Sequence, residues 1–313
     1  MRKKHYKASS FTSVGAMVWV VIDVKCKLYN SGNYTTLNKY SKGKILKNYS
    51  SRYAIVEFEN GKIVKLNKKY ILINVKDIMQ KEVLYSITNA KSALYKIHGN
   101  NIPNVTGMVL YRGMPTDDEV VVPLMYKTAE KLYMAENDFL KEGLTIKIYD
   151  TYRPYSVTKY LYENTLKVAD KFSNLLNKVI NNFEYSQRWF LAENASSHNY
   201  GVAIDMTLVD LHSKRVLEMQ TTMHDLSVFS VVDYNNENAK KLARVMKHNG
   251  FVPLRSEWWH FQDNNAKVAV MDFCATMWNQ MYVWGEQRSP LQSEIAARGE
   301  QYSPQKLMNV VGR

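Results

Sequence analysis

Ser196-Ser197-His198-Asn199-Tyr200-Gly201-Val202-Ala203-Ile204-Asp205-Met206-Thr207 reads as a polar turn running into a strand. Val202, Ile204 and Met206 alternate with Ala203, Asp205 and Thr207, the period of an extended chain whose other face is buried. His198 lies in the turn that feeds this strand, and Gly201 lets the backbone bend there. Further along, Ser256-Glu257-Trp258-Trp259-His260 places a carboxylate three residues before a second imidazole. On a regular strand that spacing sends the two side chains to opposite faces. The chain must therefore bend between them, with Glu257 at a strand entrance, His260 just inside, and Trp258 and Trp259 as a dry wall.

The two segments together hold the inventory of a hydrolytic zinc site. Amide hydrolysis on zinc needs three protein ligands, a fourth position left for water, and a base to take that water's proton. His198, Asp205 and His260 are the candidate ligands and Glu257 the candidate base. A His-x6-Asp pair alone is weak evidence, because motifs that short occur freely. The other histidines show the contrast. His248 falls in the last turn of a helix before Gly250, where a cation complements the helix dipole, and His5, His98 and His212 have no carboxylate at useful spacing.

The run Ser-x-His-x-x-Gly-x-Ala-x-Asp at 196–205 and Glu-Trp-Trp-His at 257–260 resemble the two zinc motifs of the VanX-like D-alanyl-D-alanine dipeptidases, zinc D,D-peptidases of peptidoglycan metabolism. Asp150-Thr151-Tyr152-Arg153-Pro154 is similar to that family's arginine segment, and Asn104-Val105-Thr106-Gly107 to its Asn-Phe-Thr-Gly stretch. The resemblance covers most of the chain after about residue 85. It implies an α+β fold with a central antiparallel sheet and flanking helices, one Zn²⁺ per chain, and cleavage of D-Ala-D-Ala. It also implies a role for Arg153, a guanidinium aimed at the scissile carbonyl to stabilise the developing oxyanion. The residues themselves leave a surface arginine open as well, since Pro154 suits the first position of a helix over Ser156 to Leu166.

Substrate recognition follows the resemblance less closely. Ser196 is carried over as a substrate-binding residue. Where the dipeptidases have a Phe-Asp pair expected to hold the substrate's ammonium group, this chain has Met223-His224-Asp225. His224 occupies the place of that Asp, with Asp225 one position later, so His224 and Asp225 are both candidates. The displacement keeps a second substrate class open, D-Ala-terminated muropeptides cut by a D,D-carboxypeptidase or endopeptidase. A reading of another class also stands, a non-catalytic zinc-containing protein that binds cell wall. Glu257 and Arg153 favour the enzyme, because a structural zinc needs neither a base nor an oxyanion donor.

The chain's 313 residues suit one medium domain with a smaller one beside it. Charge divides sharply: residues 1–85 hold 17 Lys+Arg against 5 Asp+Glu, a net of +12 out of +13 for the whole chain. That segment is rich in strand formers. Tyr53 to Phe58 and Ile63 to Leu66 flank Asn60-Gly61, a strong hairpin signal. With Met17 to Ile22, Lys44 to Leu46 and Tyr70 to Val75 this makes about five short strands, enough for a small closed sheet. The arrangement resembles a bacterial SH3-like all-β domain, a module that beside peptidoglycan enzymes implies a wall-polymer partner. Lysines on exposed strands also serve to blunt edge pairing. Nucleic acid is not expected, because helix-turn-helix, zinc-finger and RNP-like patterns are all missing. The organisation expected is thus 1–85 small basic β domain, 86–283 peptidase domain, and 284–313 polar tail.

Met1-Arg2-Lys3-Lys4 before the apolar run Val14 to Val24 hints at an export signal, but Asp23 interrupts the run and no small-residue cleavage site follows. No segment reaches the roughly 18 apolar residues of a membrane span. Cys26 and Cys274 give no disulfide framework. The expected location is the cell envelope or outside the cell, on the strength of the basic module, with the cytoplasm as the alternative. Elsewhere, helices are expected over Leu124 to Leu140, closing at Gly143, and over Asn236 to Asn249, with a strand Leu144 to Ile148 delivering Arg153.

Overall fold

The computed structural model describes residues 10–39, 41–85, 96–97, 100–101, 122–153, 158, 162, 192, 195–225, 228–232 and 235–281. The Asn104–Gly107 stretch, most of the helix expected over 156–166, His5, His98 and the tail 284–313 lie outside them.

Strands of the first region are β1 (Met17–Val20), β2 (Val24–Leu28), β3 (Tyr34–Leu37), β4 (Lys42–Asn48), β5 (Tyr53–Phe58), β6 (Ile63–Asn67) and β7 (Ile71–Asn74). They continue through β8 (Leu84–Tyr85), β9 (Lys96–Ile97), β10 (Asn100–Asn101) and β11 (Pro123–Met125). Helix α1 (Tyr126–Lys141) leads to β12 (Leu144–Asp150) and β13 (Ala203–Asp210), then α2 (Glu237–His248), β14 (Val252–Pro253), β15 (His260–Gln262) and α3 (Asn264–Met281). The result is a sheet-rich α+β fold.

Among the described residues, one sheet runs β11-β7-β1-β4-β5-β6-β2-β3 and a second runs β14-β15-β13-β12-β8. The second is antiparallel except for the β12–β8 pair, which is parallel. The Asn60-Gly61 hairpin forms between β5 and β6, with Gly61 at φ +75°. β2 and β3 lie outside the strands expected from the sequence. Lys25 and Lys27 face outward around the buried Cys26, a short amphipathic alternation that their charge disguises.

The two sheets share one apolar core, which runs from Ala16 through Trp19, Leu72 and Phe139 to Trp259 and Phe261. β11, which precedes α1, adds to the edge of the first sheet by pairing with β7, whereas β8 pairs with β12 of the second. Helix α1 buries Ala129, Leu132, Tyr133, Glu136, Phe139 and Leu140, the i, i+3, i+4, i+7 face of an amphipathic helix. It closes at Gly143, whose φ of +77° is the left-handed conformation that glycine adopts at no steric cost. Helix α2 starts at Asn236, whose side chain accepts from the Ala239 amide, and it ends with His248 exposed in its last turn.

Strand register sets the positions of the side chains that matter. Asp205 on β13 lies opposite Asp150 on one side and opposite His260 on the other. A bulge between Ile148 and Asp150 turns the end of β12 toward the same place.

Candidate metal centre

His198 sits in a 3-10 turn, Ser197–Tyr200, held at both ends. Ser196 caps it by accepting from the His198 amide at 3.3 Å, and the Asn199 side chain returns a hydrogen bond from the Ser196 amide at 2.7 Å. The turn stops at Gly201, φ +66°, and passes straight into β13. A Cβ added at Gly201 would stand 2.5 Å from Leu72 Cδ2, so the turn rests directly on β7 of the first sheet. The His198 Nδ1–H donates to the Thr151 carbonyl, which leaves Nε2 as the lone-pair nitrogen facing inward.

His260 reaches the same point from the opposite strand, after the tight turn that the Glu257–His260 spacing requires. Its amide bonds the Glu257 carbonyl at 3.3 Å, and β15 begins with it. His198 Nε2 and His260 Nδ1 are 3.1 Å apart. Asp205 Oδ1 lies 2.9 Å from His260 Nδ1 and 3.3 Å from His198 Nε2. A metal with donors at 2.0–2.1 Å in a tetrahedron sets donor–donor edges of about 3.3 Å. Two imidazole nitrogens and a carboxylate oxygen, all buried, thus converge at the separation such an ion needs.

The electrostatics match that donor set. Burial pushes the Asp205 carboxyl up, but the surrounding imidazoles, His198 foremost, outweigh it and hold the group well below the ordinary carboxylate range. Burial lowers His260, with the Asp205 hydrogen bond and charge opposing in part, a shift that favours the neutral ring. Glu257 is buried with Oε2 3.7 Å from His260 Nδ1. Burial first, and the Asp205 charge second, raise its carboxyl well above the usual range, with Arg153 offsetting them in part.

Arg153 is not a surface residue. It is 3 % exposed, its Nη1 donates to Asp150 Oδ2 at 2.8 Å, and its Nε donates to Thr158 Oγ1 at 3.2 Å. Its amide donates to the His198 carbonyl and its own carbonyl accepts from Asn199, so the arginine segment and the histidine turn are laced together. Asp150, Thr151 and Asn199 therefore support the centre without having been assigned roles in the sequence. The first two lie inside the quoted arginine segment and Asn199 inside the histidine run; Thr151 acts through its own carbonyl and Asn199 on the Arg153 carbonyl, contacts that leave no spacing signal.

The residues carried over for substrate recognition divide. Ser196 is engaged as the cap of the turn. Asp225 is half-buried, with its carbonyl held by Ser230 Oγ. His224 reaches the donor cluster: its Nε2 lies 3.2 Å from Asp205 Oδ2. Trp258 and Trp259 are both buried and meet edge to face at 5.4 Å.

A buried three-donor cluster, a carboxyl beside it and a buried guanidinium nearby are the equipment of a metal-dependent hydrolase. A family model described as D-ala-D-ala dipeptidase matches residues 104–277. A D-alanyl-D-alanine dipeptidase of Enterococcus faecium is 26 % identical over 165 residues, 48 % of this chain and 79 % of the relative. That of Escherichia coli K12 is 30 % identical over 126 residues, 38 % and 55 % of the two chains. The Synechocystis dipeptidase is 24 % identical over 183 residues, 49 % and 68 %. The chain belongs to the D-Ala-D-Ala dipeptidase family and is a hydrolytic metallopeptidase.

Proposed function

We propose that the chain hydrolyses the peptide bond of D-alanyl-D-alanine, with His198, Asp205 and His260 holding one Zn²⁺. The observation that carries this is the convergence of those three donors within 2.9–3.3 Å of one another beside Glu257. The donor set suits zinc, since two neutral imidazoles and one carboxylate leave a coordination position open. Zinc bound there supplies a Lewis acid for the scissile carbonyl and lowers the pKa of a water. Glu257 takes the proton of that attacking water and delivers it to the leaving amine. A dication held by these three residues would oppose the Asp205 charge that, second to burial, raises the Glu257 carboxyl. Arg153, oriented by Asp150 and Thr158, donates to the oxygen that gains charge as the tetrahedral species forms, a contribution of about 3 to 4 kcal/mol for one preorganised donor. Trp258 and Trp259 keep bulk water out.

Metal analysis tests the ligand assignment. Wild type should hold one zinc per chain, and His198→Ala and His260→Ala should each lose it; full occupancy in both variants would refute the assignment.

The outer face of the first sheet favours an additional reading. Strand register puts Tyr34, Lys27, Lys65, Ile55 and Lys47 in one row across β3, β2, β6, β5 and β4, with no carboxylate in it. Lys65 Nζ stands 3.9 Å over the Tyr49 ring, and Lys25 and Lys27 stand 5.1 and 5.4 Å over Tyr34. Facing lysines on interior strands are destabilising, and edge protection does not account for them. An anionic wall polymer on this SH3-like face would offset the repulsion and would put the enzyme at the cell envelope.

A further inference from the structure

His224 has a conformation and a partner that the proposed chemistry does not use. Its φ is +60°, the left-handed region, which costs a residue with a Cβ about 1 kcal/mol or more. The ring is 2 % exposed and sits edge-on to Tyr149 of β12 at 6.0 Å and to Trp259 at 5.7 Å. Its Nε2–H points at Asp205 Oδ2 from 3.2 Å, on the side of the carboxylate away from His198 and His260, which both face Oδ1. His224 is not itself part of the group of mutually close donors.

The loop that carries it is tied down on both flanks. Gln220 Nε2 donates to the Val231 carbonyl at 2.9 Å, and Thr221 Oγ1 meets Ser230 Oγ at 2.9 Å. Trp258 closes the clamp, its indole N–H donating to Thr221 Oγ1 at 2.9 Å and its amide to the Ser230 carbonyl at 2.9 Å. The residue between Glu257 and Trp259 therefore anchors the loop that sets His224 at its unfavourable φ.

We infer that His224 is a positioning residue for the metal centre. It holds Oδ2 of Asp205 so that Oδ1 alone turns toward the two histidines, and it makes the carboxylate a one-oxygen ligand. A ligating carboxylate without its outer hydrogen bond can rotate or bind through both oxygens. Losing such an outer partner lowers metal affinity by 10- to 100-fold. This inference rests on the metal reading above, and it assigns His224 to the ligand sphere in place of the substrate.

The test is metal affinity by chelator competition, with Zn²⁺ alone as the probe, on the full chain. Wild type, His224→Ala, His224→Gly and His224→Gln are compared, and KM for D-Ala-D-Ala is measured at saturating zinc. Glycine adopts the left-handed φ freely, so it carries the comparison if the alanine variant does not fold, and glutamine keeps an N–H donor at similar reach. Zinc affinity should fall at least tenfold in the alanine and glycine variants and stay within about threefold of wild type in the glutamine variant, with KM unchanged in all. Unaltered zinc affinity in the glycine variant, or a raised KM with unaltered affinity, would overturn the inference. A wild-type protein that binds no zinc would instead overturn the metal reading itself.

Discussion

Gly201→Ala tests whether the first sheet is the back wall of the metal turn. The glycine is at φ +66°, and an added Cβ would meet Leu72 Cδ2 at 2.5 Å and both the Met125 Cγ and backbone nitrogen at 3.5 Å. Alanine at a left-handed φ costs about 1 kcal/mol. Leu72 is fully buried and packed, so making room for a methyl costs a further 1 to 3 kcal/mol or so. The total is about 2 to 4 kcal/mol, and it falls on the segment that carries His198. Urea unfolding of wild type, Gly201→Ala, Leu72→Ala and the double variant separates the two contributions. Leu72→Ala alone should cost roughly 2 to 5 kcal/mol through the cavity it leaves, but in its background Gly201→Ala should cost only the backbone strain. A coupling of about 1 to 3 kcal/mol is therefore expected between Gly201 of the histidine turn and Leu72 of the first sheet. A loss below about 0.5 kcal/mol for Gly201→Ala, or additive single effects, would refute the packing argument.

Deleting residues 1–85 should abolish both the cooperative unfolding transition and zinc binding, because β7 holds β11 and the Gly201 turn; a truncated chain that still binds zinc would show that the sheets are separable. Glu136 is fully buried with one oxygen bonded to Thr145 Oγ1 at 2.7 Å, and burial chiefly, with the Glu82 charge adding and the Thr145 and Ile146 hydrogen bonds opposing, pushes its carboxyl up to about 8. Its folded-state value exceeds its unfolded one, so its contribution is complete below about pH 4.5, declines as pH rises toward 8 and then levels off, a loss of roughly 3 to 5 kcal/mol. Glu136→Gln should remove that decline, and parallel stability curves for variant and wild type from pH 5 to 9 would contradict it. Lys27→Gln/Lys65→Gln should weaken salt-sensitive sedimentation with purified walls without altering turnover of D-Ala-D-Ala; wall binding equal to wild type would remove the surface from the account.

The site was more legible in the sequence than the fold around it. His198, Asp205, Glu257 and His260 stand out in the sequence only through the family resemblance joined to the residue types a metal needs; the structure brings His198, Asp205 and His260 together, and the three-residue offset from Glu257 to His260 forces a bend that the structure contains. Arg153 was ambiguous: its burial depends on Asp150 across a bulge in β12, and a bulge has no spacing signature. His224 stands where the resemblance places an aspartate, but its contact with Asp205 depends on a loop clamped by Trp258, a tertiary tie. The helix boundaries at Gly143 and Asn236 were marked by local capping chemistry. The pairing of β11 with β7, and of β8 with β12, was invisible, because strand partners are chosen by long-range packing and not by the few residues of each strand.

The most direct measurement is turnover of D-Ala-D-Ala by zinc-loaded Glu257→Gln beside wild type, with metal content determined on the same samples. The substitution preserves size and hydrogen bonding but removes the proton acceptor. The account requires one zinc per chain in both proteins and a fall in kcat of about 10²-fold or more in the variant. Undiminished turnover in a zinc-loaded variant would contradict the assignment of Glu257 as the base, and a wild type that holds zinc but cleaves no D-Ala-D-Ala would contradict the proposed function.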